Sequence, residues 1–262
     1  MITYQEHYAR FLGCKLGQDG KVIVCHSPLR DKIVSHRQPL ILSFMKNQQV
    51  VLSTSLDLQN KLRRLSHKLP TTKLSPDQWF KIVDDFLFVR IRLYNIEHFL
   101  RMTVEQKNFV EIKKQNFVRP LVLVDKNLIL SQGQLPKRGK KYQDHFWKQN
   151  IKSIKEGRRF GLIRGRQNLS WASVEPIECG AGNIAVATNE KHRKKGYGKM
   201  VVSAAVNWCF DHDILPIYYV RSDNIASIAL ARSLGFKLKA REIIVNHWPG
   251  DAEDRYRVRT KQ

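Results

Sequence analysis

The chain has 262 residues, with 46 Lys+Arg against 23 Asp+Glu and a formal net charge of +23. With 42% hydrophobic and 10% aromatic residues, 14 Gly and 9 Pro, the composition excludes a disordered or fibrous protein. It allows one large core or two smaller ones, and two are expected.

Residues 1–120 hold 20 basic and 10 acidic side chains and residues 121–262 hold 26 and 13, so the charge is not a detachable tail. A field of this sign draws phosphorylated cofactors, nucleic acid, acidic membrane or acidic substrates. No apolar run approaches the roughly 20 residues that a membrane-crossing helix needs. The opening MITYQEHYARFL carries Glu6 early and lacks a signal-peptide core, which predicts a soluble cytoplasmic protein with no membrane partner. Cys14, Cys25, Cys179 and Cys209 are scattered without a C-x-x-C pair, the pattern of buried thiols in a reducing compartment rather than of a metal site.

In chain order, Thr3-Tyr4-Gln5-Glu6 has the capping-box form, predicting a short helix that ends near Gly13. Val22–Cys25, Leu40–Phe44 and Val50–Thr54 read as strands, and Leu56–Lys68 as a helix with Leu58, Leu62 and Leu65 on one face. Ser75-Pro76-Asp77-Gln78 supplies a cap, a first-turn proline and an acid, so a helix is expected from Pro76 to about Phe88. Residues 89–116 read equally as strand or helix. Val118–Val124, β-branched around Pro120, is expected as an edge strand opening a second unit. A stretch with eleven basic residues between Lys137 and Arg166 follows, with a helix over Tyr142–Glu156 and strands at Phe160–Ile163 and Ser170–Val174.

From Gly182 the sequence becomes more specific. Asn183–Thr188 reads as a strand that runs through the turn Asn189–His192 into Arg193-Lys194-Lys195-Gly196-Tyr197-Gly198. A helix follows with Val201, Ala204, Ala205 and Trp208 on one face. Such a junction offers unpaired N–H groups, the positive end of a helix dipole and glycines that let an anion approach the backbone, which suits a pyrophosphate. R-x-x-G-x-G alone is also just a basic turn with glycines, and it matches neither a Walker loop nor a dinucleotide fingerprint. Downstream come the strand Ile217–Val220, the helix from Asn224 to its stop at Gly235, and the strand Phe236–Val245.

The order strand, R-x-x-G-x-G, helix, strand, N-x-x-S-x-x-L-x-x-x-L-G-F, strand resembles the GNAT superfamily of acyl-CoA N-acyltransferases over about residues 140–245. Val186-Ala187-Thr188…Arg193-Lys194-Lys195-Gly196 and the Ala-Leu-Ala-Arg-Ser-Leu-Gly-Phe ending resemble, more narrowly, the branch related to zwittermicin A resistance proteins, which place an α/β extension before the GNAT domain. The resemblance implies a mixed-sheet α/β chain: an N-terminal α/β domain over 1–117 and a GNAT domain over 118–262.

It further implies acetyl-CoA as co-substrate, an amine acceptor and no metal. Ala185, Val186 and Ala187 would pair with the pantetheine arm. Arg193, Lys194, Lys195, Gly196, Tyr197 and Gly198 would hold the pyrophosphate with Lys199 nearby, and Asn224 and Ser227 would contact the pantetheine or the thiol. Asn224 is equally a helix cap. Amine attack on a thioester needs a proton acceptor, for which Glu175 is better placed than Glu178 or Glu190. Where many GNAT enzymes carry a proton-donating Tyr, this chain has Ala231, so either Tyr218, Tyr219 or Tyr197 would substitute or solvent would protonate the departing thiolate, although strand tyrosines also serve simply as core. A rival reading is a basic nucleic-acid- or ribosome-associated protein that keeps the GNAT fold as a scaffold, and small antibiotic-like amines are among the acceptors left open.

Overall fold

The computed structural model describes residues 1–32, 37–67, 74–91, 94–113, 117–132 and 135–247. Helix α1 (Tyr4–Leu12) buries His7, Tyr8, Phe11 and Leu12, the three-and-four spacing of one helix face. Strand β1 (Val22–His26), the single turn α2 (Pro28–Asp31), β2 (Arg37–Phe44) and β3 (Val50–Thr54) follow. Helix α3 spans Leu56–Ser66, and Lys68 of the expected helix lies outside the described residues. Helix α4 (Pro76–Phe88) starts where the sequence places it. Ser75 Oγ accepts the Gln78 N–H and the Gln78 side chain accepts the Ser75 N–H, satisfying donors at the helix start.

The ambiguous stretch contains strand β4 (Tyr94–Thr103) and a 3₁₀ turn, Gln106–Asn108. Strand β5 covers only Val118–Pro120, which corrects the expected Val118–Val124. The chain turns there because the Asp125 carboxylate accepts the Val122 N–H at 2.9 Å and two Arg119 N–H groups at 2.7 Å, and α5 (Lys126–Leu130) begins directly afterwards. Then come α6 (Lys140–Lys155), β6 (Arg159–Arg164), β7 (Gln167–Glu178), β8 (Ala181–Thr188), α7 (Tyr197–Asp211), β9 (Leu215–Arg221), α8 (Ile225–Ser233) and β10 (Lys237–His247). Glu178 closes strand β7, opposite Ala181.

The elements form two compact units. Among the described residues, one comprises those of Tyr4–Arg101, Val220–Asn224 and Leu238 to His247; the other comprises those of Met1–Thr3, Met102–Tyr219 and Ile225–Lys237.

In the first unit the strand order is β1-β3-β2-β10-β4, with β1 parallel to β3 and β2 antiparallel to both β3 and β10. Leu40, Leu42, Leu52, Ile243 and Val245 meet Leu58 and Leu62 of α3 and Trp79, Val83 and Leu87 of α4. Each fully buried side chain of this kind stabilises by about 1.5–3 kcal/mol. The alternate residues on β2 and β10, Ser43 and Glu242, face α1. Tyr8 Oη hydrogen-bonds to both, and Arg101 of β4 donates through Nε to Glu242 Oε1 at 2.6 Å. Glu242 and Arg101 are buried, so this ion pair fixes α1 at a defined place on the sheet while each charge is matched.

In the second unit the order is β9-β8-β7-β6-β5, antiparallel except for the parallel β8/β9 pair. Phe160, Ala172 and Val186 are register partners on one face, and α7 covers it, with Gly198 against Val186 and Thr188. Arg159, Ser173 and Ala185 are register partners on the other face, where Asn150 of α6 accepts from Arg159.

Candidate active site

Strand β8 pairs with β7 as far as Thr188↔Ser170, but with β9 only from Ala181↔Leu215 to Asn183↔Ile217. Beyond Asn183 the two parallel strands part. Asn183 sits at the fork, and its Oδ1 accepts the Tyr219 N–H at 3.2 Å, taking a backbone donor that continued pairing would have used. The β9-facing edge of Ile184–Thr188 is thereby left open, and Ala185, Val186 and Ala187 lie on it, partly to well exposed. An extended ligand bearing amides can complete such an edge as a surrogate strand.

The open edge leads into the loop. Asn189 Oδ1 accepts the Lys191 N–H at 3.3 Å and starts the 3₁₀ turn Glu190–His192. Lys194 (φ 61) and Gly196 (φ 79) are left-handed, which turns the chain back into α7. Among the described residues, the N–H groups of Gly196, Tyr197, Gly198 and Lys199 meet no backbone acceptor, and Gly196 caps α7 with no side-chain bond. These donors lie at the positive end of a 15-residue helix. Nothing lies within 4 Å of where a Gly196 Cβ would project, so the loop is open above that residue. Gly198 has a different reason to be glycine: a Cβ there would meet Leu230 Cδ1 at 2.8 Å and Thr188 Oγ1 at 3.3 Å, so its absence lets α7 approach β8 and α8.

Arg193, Lys194 and Lys195 are exposed around the loop, with Arg193 3.6 Å from Glu190. The Arg164 guanidinium lies 5.7 Å from the Tyr197 ring centre, which adds a cation from the β6 end that the sequence does not single out. Residue spacing gives no signal for it, because Arg164 and Tyr197 are 33 positions apart in the sequence.

Tyr218 is buried; its Oη lies 2.8 Å from Ser227 Oγ and its ring packs edge-on to Phe236 at 5.4 Å. Burial raises its phenol above the ordinary tyrosine value, while the Ser227 bond acts the other way. Tyr219 projects to the opposite side of β9 and is half-buried. Ala231, one helical turn after Ser227, is fully buried. Asn224 is exposed directly before α8.

Glu175 lies at an irregularity of β7, between Val174↔Ile184 and Ile177↔Gly182, beside the point where β8 and β9 part. Its carboxylate accepts from Ser173 Oγ, and Oε1 is 3.8 Å from Arg159 Nη1. Burial pushes the Arg159 guanidinium down to about 10, with Glu175 acting against that fall. Glu190 is exposed in the turn before the loop.

Residues 134–236 match the family described as "Acetyltransferase (GNAT) family". A curated relative, "Uncharacterized N-acetyltransferase YjdG" of Bacillus subtilis (strain 168), is 32% identical over 76 residues, 28% of this chain and 45% of its own length. The chain thus spans less than half of that relative. Among solved structures, an acetyltransferase from the GNAT family of Colwellia psychrerythraea aligns over 75% of this chain and 76% of its own, at 10% identity and a TM-score of 0.50. A GCN5-related N-acetyltransferase from Sphaerobacter thermophilus aligns over 65% and 57%, at 11% identity and a TM-score of 0.50. At those identities the structures establish the fold. Residues 134–236 are thus similar to the GNAT acetyltransferases, on the mixed α/β fold that the strand order displays.

Proposed function

We propose that the chain is a cytoplasmic acetyl-CoA-dependent N-acetyltransferase that acetylates a primary amine. The observation that carries this reading is the open edge of β8 running into four N–H groups without a backbone acceptor at the start of α7. Together they fit an acyl-CoA: an amide-bearing arm along Ala185–Ala187 and a diphosphate on the N–H groups of Gly196–Lys199, with Arg193, Lys194 and Lys195 balancing its charge. Bound acetyl-CoA supplies the thioester carbonyl. A β8 N–H on the open edge would donate to the carbonyl oxygen as negative charge gathers there. Glu175, held by Ser173 on the Ala185 face, would take the amine proton directly or through water. Tyr218 and Ser227, hydrogen-bonded to each other, would return a proton to the sulfur in place of the Tyr missing at Ala231.

The same reading keeps residues 118–262 as the transferase domain and 1–117 as an N-terminal α/β extension, the arrangement of the zwittermicin A resistance-like branch, for which a small amine antibiotic is one acceptor class. A cytoplasmic location is supported by the absence of disulfides at all four cysteines and, among the described residues, of any helix long and apolar enough to cross a membrane.

Thermal melting with acetyl-CoA tests the assignment. At a hundred times its dissociation constant the ligand adds about 2.7 kcal/mol to stability. Gly196→Asp, which places a carboxylate where the diphosphate would lie, is expected to remove the shift. A melting temperature indifferent to acetyl-CoA, together with RNA binding that collapses between about 50 and 200 mM salt, would instead favour the nucleic-acid-binding reading.

A further inference from the structure

On the face of the second unit opposite α7, Arg159 is 2% exposed, and its guanidinium lies 4.4 Å from the Trp171 ring centre and 5.7 Å from that of Phe146. Nη1 donates to Asn150 Oδ1 at 2.6 Å, and Glu175 Oε1 is 3.8 Å from the same nitrogen. Nε and Nη2 are buried and have no hydrogen-bond partner. Those two nitrogens form one side of the guanidinium, the edge whose parallel N–H bonds match the two oxygens of a carboxylate. The protein uses that same edge elsewhere: Arg101 gives Nε to Glu242 Oε1 at 2.6 Å and Nη2 to Oε2 at 3.3 Å.

A second observation falls on the same face. Asn168 buries both Oδ1 and Nδ2 without a partner, and its amide lies 3.0 Å from where a Cβ of Gly161, two residues along from Arg159, would project. Buried polar groups are ordinarily satisfied, so two unpaired guanidinium nitrogens and an unpaired amide on one side of one sheet point to a polar partner. The row Arg159–Ser173–Ala185 crosses three neighbouring strands, so the Arg159 Cα stands about 10 Å, two strand spacings, from the β8 edge assigned above to the pantetheine arm.

We infer that the acceptor is a small amine that also carries a carboxylate, an amino acid or a short peptide-like acid, whose carboxylate docks on the Nε/Nη2 edge of Arg159. The inference rests on the transferase reading and names the substrate class of that same site. Binding by the carboxylate leaves the amine to reach the thioester. The neutral nitrogen attacks the carbonyl carbon, the C–N bond forms, and the C–S bond breaks with its electron pair on sulfur. The proton lost by the nitrogen ends on that sulfur, giving the N-acetyl acid and CoA thiol. A net charge of +23 agrees with an acceptor that presents negative charge and disfavours a polycation.

The test follows CoA thiol release from acetyl-CoA by the full-length chain, with standard α-amino acids each paired with its carboxamide and its decarboxylated amine. The accepted acid is expected to lose about 30-fold or more in kcat/KM, chiefly through KM, when its carboxylate is neutralised or removed. Arg159→Gln is expected to abolish that preference while its acetyl-CoA melting shift persists, and Arg159→Lys to recover part of it. Should Arg159→Gln fail to fold, the comparison of acid with amide on the unaltered protein decides. Amides or decarboxylated amines used as well as the acids would overturn the inference. So would the absence of any amino-acid-dependent thiol release from a protein that acetyl-CoA stabilises. Lack of stabilisation by acetyl-CoA, measured before any acceptor is added, would remove the transferase reading itself and this inference with it.

Discussion

At Gly196 the backbone is left-handed and the space above it is empty, whereas at Gly198 the helix is regular and the space is filled. Their alanine variants should therefore fail differently. Gly196→Ala forces an L-residue to φ 79, at a cost of about 1–2 kcal/mol, with no steric contact in the loop. Urea denaturation should show that loss, and acetyl-CoA should still raise the melting temperature. Gly198→Ala crowds Leu230 and Thr188, costs about 1–3 kcal/mol, and pushes the start of α7 off β8, so the ligand-induced shift should shrink as well. Tyr218→Phe removes one buried hydrogen bond, worth about 1 kcal/mol in stability. If the hydroxyl serves the departing thiol, kcat falls by about 100-fold while the KM for acetyl-CoA stays put. An unchanged kcat in a variant with a lowered melting temperature would reduce Tyr218 to packing.

The fork between β8 and β9 depends on one side chain that nothing local to the sequence marks. Asn183→Ala frees the Tyr219 N–H and removes about 1 kcal/mol, and pairing past Ile217 then competes with the ligand for the β8 edge. Its acetyl-CoA melting shift should be smaller than that of the unaltered protein, and Asn183→Asp, which keeps the accepting oxygen, should restore most of it. The loop after β8, by contrast, is legible in the amino-acid sequence alone. Glycines, basic residues and a helical stripe at fixed offsets encode a strand-loop-helix junction within about 25 residues, and α7 begins there at Tyr197. Helix α4 is legible for the same reason, since its cap, proline and apolar spacing are all local. Strand β4 is not. Leu100-Arg101-Met102-Thr103 alternates, yet Arg101 on its polar side is buried, with its charge matched by Glu242 141 positions later. Arg159 is hidden likewise: in sequence it is one of eleven basic residues in a run, and only the register with Ser173 and the stacking on Trp171 separate it from its solvated neighbours.

Both units bury phenols, and this ties the stability of the protein to alkaline pH. Tyr4 and Tyr8 in the first unit and Tyr218 in the second are pushed above the ordinary tyrosine value, in each case mainly because burial penalises the phenolate; for Tyr4 and Tyr8 the nearby Glu242 adds to the rise. Below about pH 10 these groups are protonated whether the chain is folded or not, so they contribute no pH dependence. Above it the unfolded chain releases their protons and the folded chain retains them, so the unfolded state is favoured by up to about 1.4 kcal/mol per pH unit for each group. An opposing effect acts over the same range, because lysines lose their charge and the self-repulsion of a +23 chain relaxes. Melting temperature alone therefore mixes two trends of opposite sign, and tyrosine absorbance separates them. Of eight tyrosines, Tyr4, Tyr8 and Tyr218 should remain silent near 295 nm through pH 10 to 11 and then ionise in the same step that abolishes the far-ultraviolet circular dichroism. Tyr8→Phe should remove one phenolate from that late step and, by leaving the Glu242 carboxylate and Ser43 short of a buried partner, bring the step to lower pH. All eight phenols titrating together near pH 10 in a chain that is still folded would contradict the burial of these three, and with it the seating of α1 on the first sheet through Tyr8.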